Sequence, residues 1–144
     1  MSESTDRISP RQSDLQKSSK RLAARQVGEA GEQFVADLLK ASGWKILARQ
    51  WRCYWGELDV VALDRNWLIF VEVKTRSDRS WDQNGLLSIA PKKQQKLWRA
   101  ATEFLANHPD LERLPCRFDV ALVYNPPISS QLELLSYLES AFSL

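Results

Sequence analysis

The chain has 144 residues, 44% of them hydrophobic and 26% charged, with a formal net charge of +2, which is the composition of one ordinary globular domain. No apolar run approaches the roughly 18 residues that span a bilayer, so membrane insertion is excluded. The first twenty residues hold no apolar core ahead of a small-residue cleavage site, so no secretory leader is expected and the cytoplasm is the expected compartment.

Charge is uneven: residues 1–28 carry six Lys/Arg against three Asp/Glu, and residues 29–144 carry fourteen against fifteen. A Ser-rich, basic stretch with few large apolar side chains cannot offset its ordering entropy by burial, so residues 1–20 are expected to be a disordered basic tail and 21–144 the folded domain. From Arg25 to Ser42, Val27, Gly31, Phe34, Val35, Leu38 and Leu39 recur at three- and four-residue spacing, one face of an amphipathic helix that Gly43 ends. Trp44–Trp51, Gly56–Leu63 and Trp67–Arg76 are β-rich runs with short polar or glycine-containing links, which predicts an antiparallel meander. After a polar loop from Ser77 to Ser88, Pro91 suits the first turn of a second helix, which runs to about Asn107 and buries Leu97, Ala101, Phe104 and Leu105. A strand from Arg117 to Tyr124 follows, stopped by Asn125, Pro126 and Pro127, and Leu132–Tyr137 is a candidate edge strand. The order αβββαβ assigns the chain to the α/β class.

Composition narrows the chemistry. Cys53 and Cys116 lack the CxxC or Cys/His clustering of a zinc site and are expected to be reduced. The lone His108 sits at a helix end, so catalysis rests on carboxylates, lysines or hydroxyls, and a metal site rests on oxygen ligands that suit Mg²⁺ or Mn²⁺. Carboxylates do occur inside strands, at Glu57, Asp59 and Glu72. On the third strand Leu68, Phe70, Glu72, Lys74 and Arg76 share one face and Ile69, Val71 and Val73 the other. A two-residue turn at Arg65 and Asn66 opposes Leu63 to Leu68, and the same register opposes Asp59 to Glu72 and Glu57 to Lys74. Two like charges so placed are destabilising, and a divalent cation resolves the conflict. Such a cation polarises a phosphate and lowers the pKa of bound water, while the Lys74 ammonium stabilises developing negative charge. Glu32, on the flank of the first helix near Gly28, can reach the sheet and join the metal shell. The plain alternative is a solvated face with Glu57 paired to Lys74 and Glu72 beside Arg76.

Gly31-Glu32, Gly56-Glu57-Leu58-Asp59 and Val71-Glu72-Val73-Lys74-Thr75-Arg76 resemble, in that order, the motifs of the YraN-like uncharacterised protein family. That family is a member of the PD-(D/E)XK, or restriction-endonuclease-like, superfamily, with archaeal Holliday junction resolvases among its relatives. The resemblance covers roughly residues 28–124, with Leu58 where the superfamily name has Pro. It implies a central mixed sheet flanked by helices, metal ligands at Asp59 and Glu72, a catalytic lysine at Lys74, the helix glutamate of resolvase-type members at Glu32, and a homodimer. Lys92 and Arg117-Phe118-Asp119-Val120 also look like family text.

Lys92, Lys96 and Arg99 fall at i, i+4 and i+7 on the second helix, a basic stripe suited to phosphates, and with Arg76 and Trp55 they are the expected nucleic-acid contacts. Trp51, Trp55 and Trp81 are aromatic groups near the carboxylates of the kind that stack on bases, with core packing favoured for Trp51. The loop from Ser77 to Ser88 is a candidate cover for the substrate. These readings point to a Mg²⁺- or Mn²⁺-dependent nuclease acting on DNA, branched or damaged DNA by analogy with the resolvases. The alternatives are a nucleic-acid-binding module of the same fold without catalysis and a protein-interaction domain that uses exposed tryptophans.

Overall fold

The computed structural model describes residues 11–78, 88–128 and 131–143. Helix α1 runs Gln12–Ala41, strands β1 Lys45–Cys53, β2 Gly56–Asp64 and β3 Trp67–Arg76 follow, then α2 Pro91–Ala106, a 3-10 turn Pro109–Leu111, β4 Cys116–Tyr124 and β5 Glu133–Phe142. The strands form one sheet in the order β1-β2-β3-β4-β5, parallel between β3 and β4 and antiparallel elsewhere. The chain is therefore α/β with a mixed sheet flanked by helices, consistent with a restriction-endonuclease-like core. The parallel step follows from α2, since a helix between β3 and β4 carries the chain across the sheet before the next strand.

Each helix covers one face. Val35 and Leu39 of α1 pack on Val60, Ala62, Ile69, Val71, Ala121 and Val123. On the other face Leu97, Ala100, Ala101 and Phe104 of α2 pack on Leu58, Val61, Leu68, Phe70, Phe118 and Val120. Leu97, Ala101 and Phe104 are buried as expected, and Leu105 is partly buried. Phe104 centres this layer, edge-on to Trp51 at 5.4 Å and to Phe70 at 6.1 Å and stacked on His108 at 4.1 Å. His108 Nδ1 lies 2.8 Å from the Phe104 carbonyl, which occupies one of the orphan acceptors at the end of α2. Trp51 and His108 thus have the roles expected of them.

Several boundaries differ from expectation. Helix α1 begins at Gln12 rather than Arg25. Residues 12–20 of the expected tail are helical and exposed, while residues 1–10 lie outside the described residues. Its end is as expected: the Trp44 and Gly43 amides donate to the Leu39 and Lys40 carbonyls at 2.9 and 3.0 Å, and Gly43 takes φ +92°, a Schellman ending that needs glycine. Strand β5 runs five residues beyond Tyr137, held by a buried carboxylate: Asp119 accepts from Arg117 Nε at 3.1 Å, the Tyr137 hydroxyl at 2.6 Å and the Ser140 amide at 2.9 Å. Asp119 is fully buried, so this set of donors locks β5 onto β4 and gives the Arg117–Val120 segment a structural role. Both cysteines are free. Trp81 and most of the Ser77–Ser88 loop lie outside the described residues. No described helix is long and apolar enough to cross a membrane.

Candidate metal and nucleic-acid site

The register of β2 against β3 is the even one, Leu63 opposite Leu68 across a two-residue link in which Arg65 takes φ +52°. The ladder stops at Val60↔Val71, so Asp59 and Glu72 are not a ladder pair. Strand β2 also turns over at this point: Leu58 packs in the α2 layer and Val60 in the α1 layer, though alternate residues of a regular strand share a face. The β1–β2 ladder skips the same position, passing from Arg49↔Val60 to Trp51↔Leu58, and Gln50, in the gap opposite Asp59, adopts φ +50°. This break releases Asp59 from the sheet, and its Oδ2 accepts from the Val73 amide of β3 at 2.9 Å.

Around Asp59 the carboxylates assemble. Oxygens of Glu32, Glu57 and Asp59 lie within 4.8 Å of one another. Glu32 is brought there by the close approach of α1 to β3: a Cβ on Gly31 would stand 2.1 Å from Thr75 Oγ1. Glu32 is 9% exposed, and its Oε2 is buried with no hydrogen-bond partner among the described residues. A buried, unsatisfied carboxylate oxygen facing two further carboxylates costs free energy unless something positive meets it. Three hard oxygen donors fit Mg²⁺ or Mn²⁺ and suit no soft metal.

Electrostatics record the same crowding. Burial first, then the charge of Glu72, push the Asp59 carboxyl up to about 9, against the pull of the Val73 hydrogen bond. Burial raises Glu32 as well, with Glu57 adding to it and a hydrogen bond from Gln50 opposing it.

Glu72 is 7% exposed and is met by a cation from the far side: Lys93 of α2 places Nζ 2.6 Å from its Oε1. Burial lowers Lys93, but the charge and hydrogen bond of Glu72 outweigh that and raise it. Lys74 donates to the Ser88 carbonyl at 2.7 Å, and burial, Lys93 and Arg76 lower its pKa. Glu57 does not oppose Lys74 in the ladder. It pairs across β1–β2 with Arg52, whose Nε is 3.2 Å away, because the β2–β3 ladder ends three residues short of it.

Of the expected site residues, the structure brings Glu32, Asp59, Glu72 and Lys74 to one end of the sheet. It adds Glu57, which the sequence reading opposed to Lys74, and Lys93, which that reading did not single out. Glu57 stands two residues before Asp59 and shares its face; Lys93 was hidden beside the Lys92 stripe. The expected nucleic-acid residues surround this end too. Lys92 and Lys96 border a cavity of about 490 Å³ with Trp55, and Arg99 lies 4.5 Å over the Trp55 ring. Arg76, with Lys74 and Lys93, borders a second cavity of about 530 Å³ that reaches Glu72.

A family model described as "Uncharacterised protein family UPF0102" matches residues 31–123. The chain is similar to a UPF0102 protein of Synechococcus sp. (strain JA-3-3Ab), 55% identical over 127 residues that cover 87% of this chain and 97% of that one. It is also similar to UPF0102 proteins of Thermosynechococcus vestitus, 47% identical with 83% and 96% of the two chains covered, and of Acaryochloris marina, 44% identical with 83% and 91% covered.

Proposed function

We propose that this chain, which belongs to the uncharacterised protein family UPF0102, is a divalent-metal-dependent nuclease of the restriction-endonuclease-like superfamily that hydrolyses phosphodiester bonds in DNA, with branched or damaged DNA suggested by analogy with the resolvases. The observation that carries the reading is the buried Glu32 Oε2, without a hydrogen-bond partner among the described residues, within the three-carboxylate cluster. Glu32, Glu57 and Asp59 would hold the cation, with Glu72 beside them. Bound there, a Mg²⁺ or Mn²⁺ supplies Lewis-acid polarisation of the phosphate and a bound water of lowered pKa.

The remaining roles belong to the chain. Lys74 brings an ammonium to the mouth of the site, where it stabilises charge that develops on the phosphate oxygens. Lys93 pairs with Glu72 and orients its carboxylate. Lys92, Lys96, Arg99 and Arg76 neutralise flanking phosphates, and a homodimer would match the two-fold symmetry of a branched substrate.

The test is incubation of purified protein with labelled four-way-junction, flap and linear DNA in Mn²⁺ or in EDTA. Cutting in Mn²⁺ alone, abolished by Asp59→Ala, is the expected result; cutting that survives Asp59→Ala combined with Lys74→Ala overturns the assigned site. A second reading, a binding module without catalysis, draws on the Lys93–Glu72 ion pair, which neutralises part of the acidic cluster without a metal. It requires salt-dependent DNA binding that is indifferent to metal and to Lys74→Ala.

A further inference from the structure

We propose that the cavity between the β1–β2 turn and the start of α2 receives one unpaired nucleobase, so that the preferred substrate is a nucleic acid with single-stranded nucleotides beside the bond to be cut. The inference rests on the nuclease reading and names its substrate class. The cavity, about 490 Å³, has an apolar floor of Leu97 and Ala100 and a wall formed by Trp55, while Lys92 and Lys96 stand exposed at its rim. A flat aromatic ring beside cationic side chains is the combination that binds single strands: the base stacks and the ammonium groups follow the backbone.

Trp55 is held for this task. The Arg99 guanidinium lies 4.5 Å over its ring and Tyr54 meets it edge-on at 5.1 Å, yet it remains 37% exposed. A tryptophan in contact with the Arg99 guanidinium and still partly open has less rotamer freedom to lose when a ligand arrives.

The connection to the carboxylates is direct. Glu57 and Lys93 line this cavity, and they also belong to the acidic cluster and to the Glu72 ion pair. A nucleotide whose base enters here therefore carries its phosphate to the charged end of the sheet. A base paired within a duplex has both faces covered by its neighbours and must be extruded first, which penalises blunt double strands relative to flaps, overhangs and single strands.

The test is fluorescence anisotropy in EDTA, where no cutting intervenes, with a labelled single strand, a blunt duplex, a flap, and the same flap with abasic nucleotides in its unpaired arm. The wild-type protein is expected to bind flap and single strand at least about fivefold more tightly than the blunt duplex, and abasic nucleotides to erase that preference. Trp55→Ala should weaken single-strand binding about tenfold more than duplex binding, and Trp55→Phe should recover most of it. The abasic flap needs no variant, so a misfolded Trp55→Ala does not obscure the result. Equal binding of all four DNAs overturns the base pocket and leaves the nuclease reading standing. Absence of binding to any DNA at low salt, both in EDTA and with Ca²⁺ supplied in place of Mn²⁺, overturns both.

Discussion

At the scale of single residues, the metal-free site stores its strain in Asp59. With its carboxyl raised to about 9, the folded protein keeps a proton there that the unfolded chain releases near pH 4. Between those values the folded state binds more protons than the unfolded one, so stability falls as pH rises, by up to about 1.4 kcal/mol per pH unit. Thermal unfolding in EDTA at pH 5 and at pH 8.5 should show a lower midpoint at the higher pH. Asp59→Asn should flatten the dependence, and saturating Mn²⁺ should stabilise more as pH rises, since the cation replaces the proton. An unchanged slope in Asp59→Asn would show that another group holds the proton.

The Lys93–Glu72 pair makes a second residue-scale prediction. Lys93→Met leaves a buried carboxylate without its cation at a cost of about 1–3 kcal/mol, less than for a fully buried pair because the lysine side chain is half exposed. Glu72→Gln added to Lys93→Met should restore most of that loss in a double-mutant cycle by denaturant unfolding. The sequence pointed to Asp59 and Glu72 because acidic residues within β runs have few ordinary reasons to be there, to Lys74 because it shares a strand face with Glu72, and to Glu32 by its place on the flank of the first helix and by the family resemblance. It paired Glu57 with Lys74 and passed over Lys93 because both placements follow from where β2 leaves the sheet and from how α2 is rotated, and neither is a local property of the chain.

At the scale of elements, the site depends on how closely α1 lies on β3. Gly31→Ala gains about 1 kcal/mol of helix propensity. Against that, the new Cβ meets Thr75 Oγ1 at 2.1 Å, and even with the hydroxyl swung aside Thr75 Cβ remains 3.3 Å away, so helix or strand must give by a few tenths of an ångström. Overpacking of this kind costs about 1–3 kcal/mol, and the clash should win. The variant is expected to melt at lower temperature and to bind Mn²⁺ more weakly than wild type, because Glu32 is the next residue on the helix. Raised stability with unchanged Mn²⁺ affinity would show that the contact does not position Glu32. The β1–β2–β3 meander and the β2–β3 register near the turn were legible from alternation and turn length. The early start of α1 was not, since residues 12–24 lack the apolar stripe that marks a packed helix and are exposed or nearly so throughout.

At the scale of the molecule, two helices clamp one mixed sheet, and each contributes to the charged end: α1 brings Glu32 and α2 brings Lys93. Phe104→Ala should cost about 3–5 kcal/mol of stability in denaturant unfolding, because it empties the centre of the α2 layer. The site should weaken with it, through a loosened Lys93. A loss below about 1 kcal/mol would mean that α2 is not anchored there. The layered architecture was readable from the alternation of β runs and amphipathic helices. The length of β5 was not, because it depends on Asp119 gathering donors from three separate positions.

The catalytic roles assigned to Glu32, Glu57, Asp59, Glu72 and Lys74 require that the end of the sheet where the elements meet holds a divalent cation. Calorimetric titration of Mn²⁺ into the metal-free protein tests this whatever the substrate is. Saturable binding by wild type is expected, with a marked loss of affinity in Glu57→Gln and no measurable binding in Asp59→Asn. A wild type that takes up no Mn²⁺, or an Asp59→Asn protein that binds it as well as wild type, would refute the metal site and the chemistry built on it.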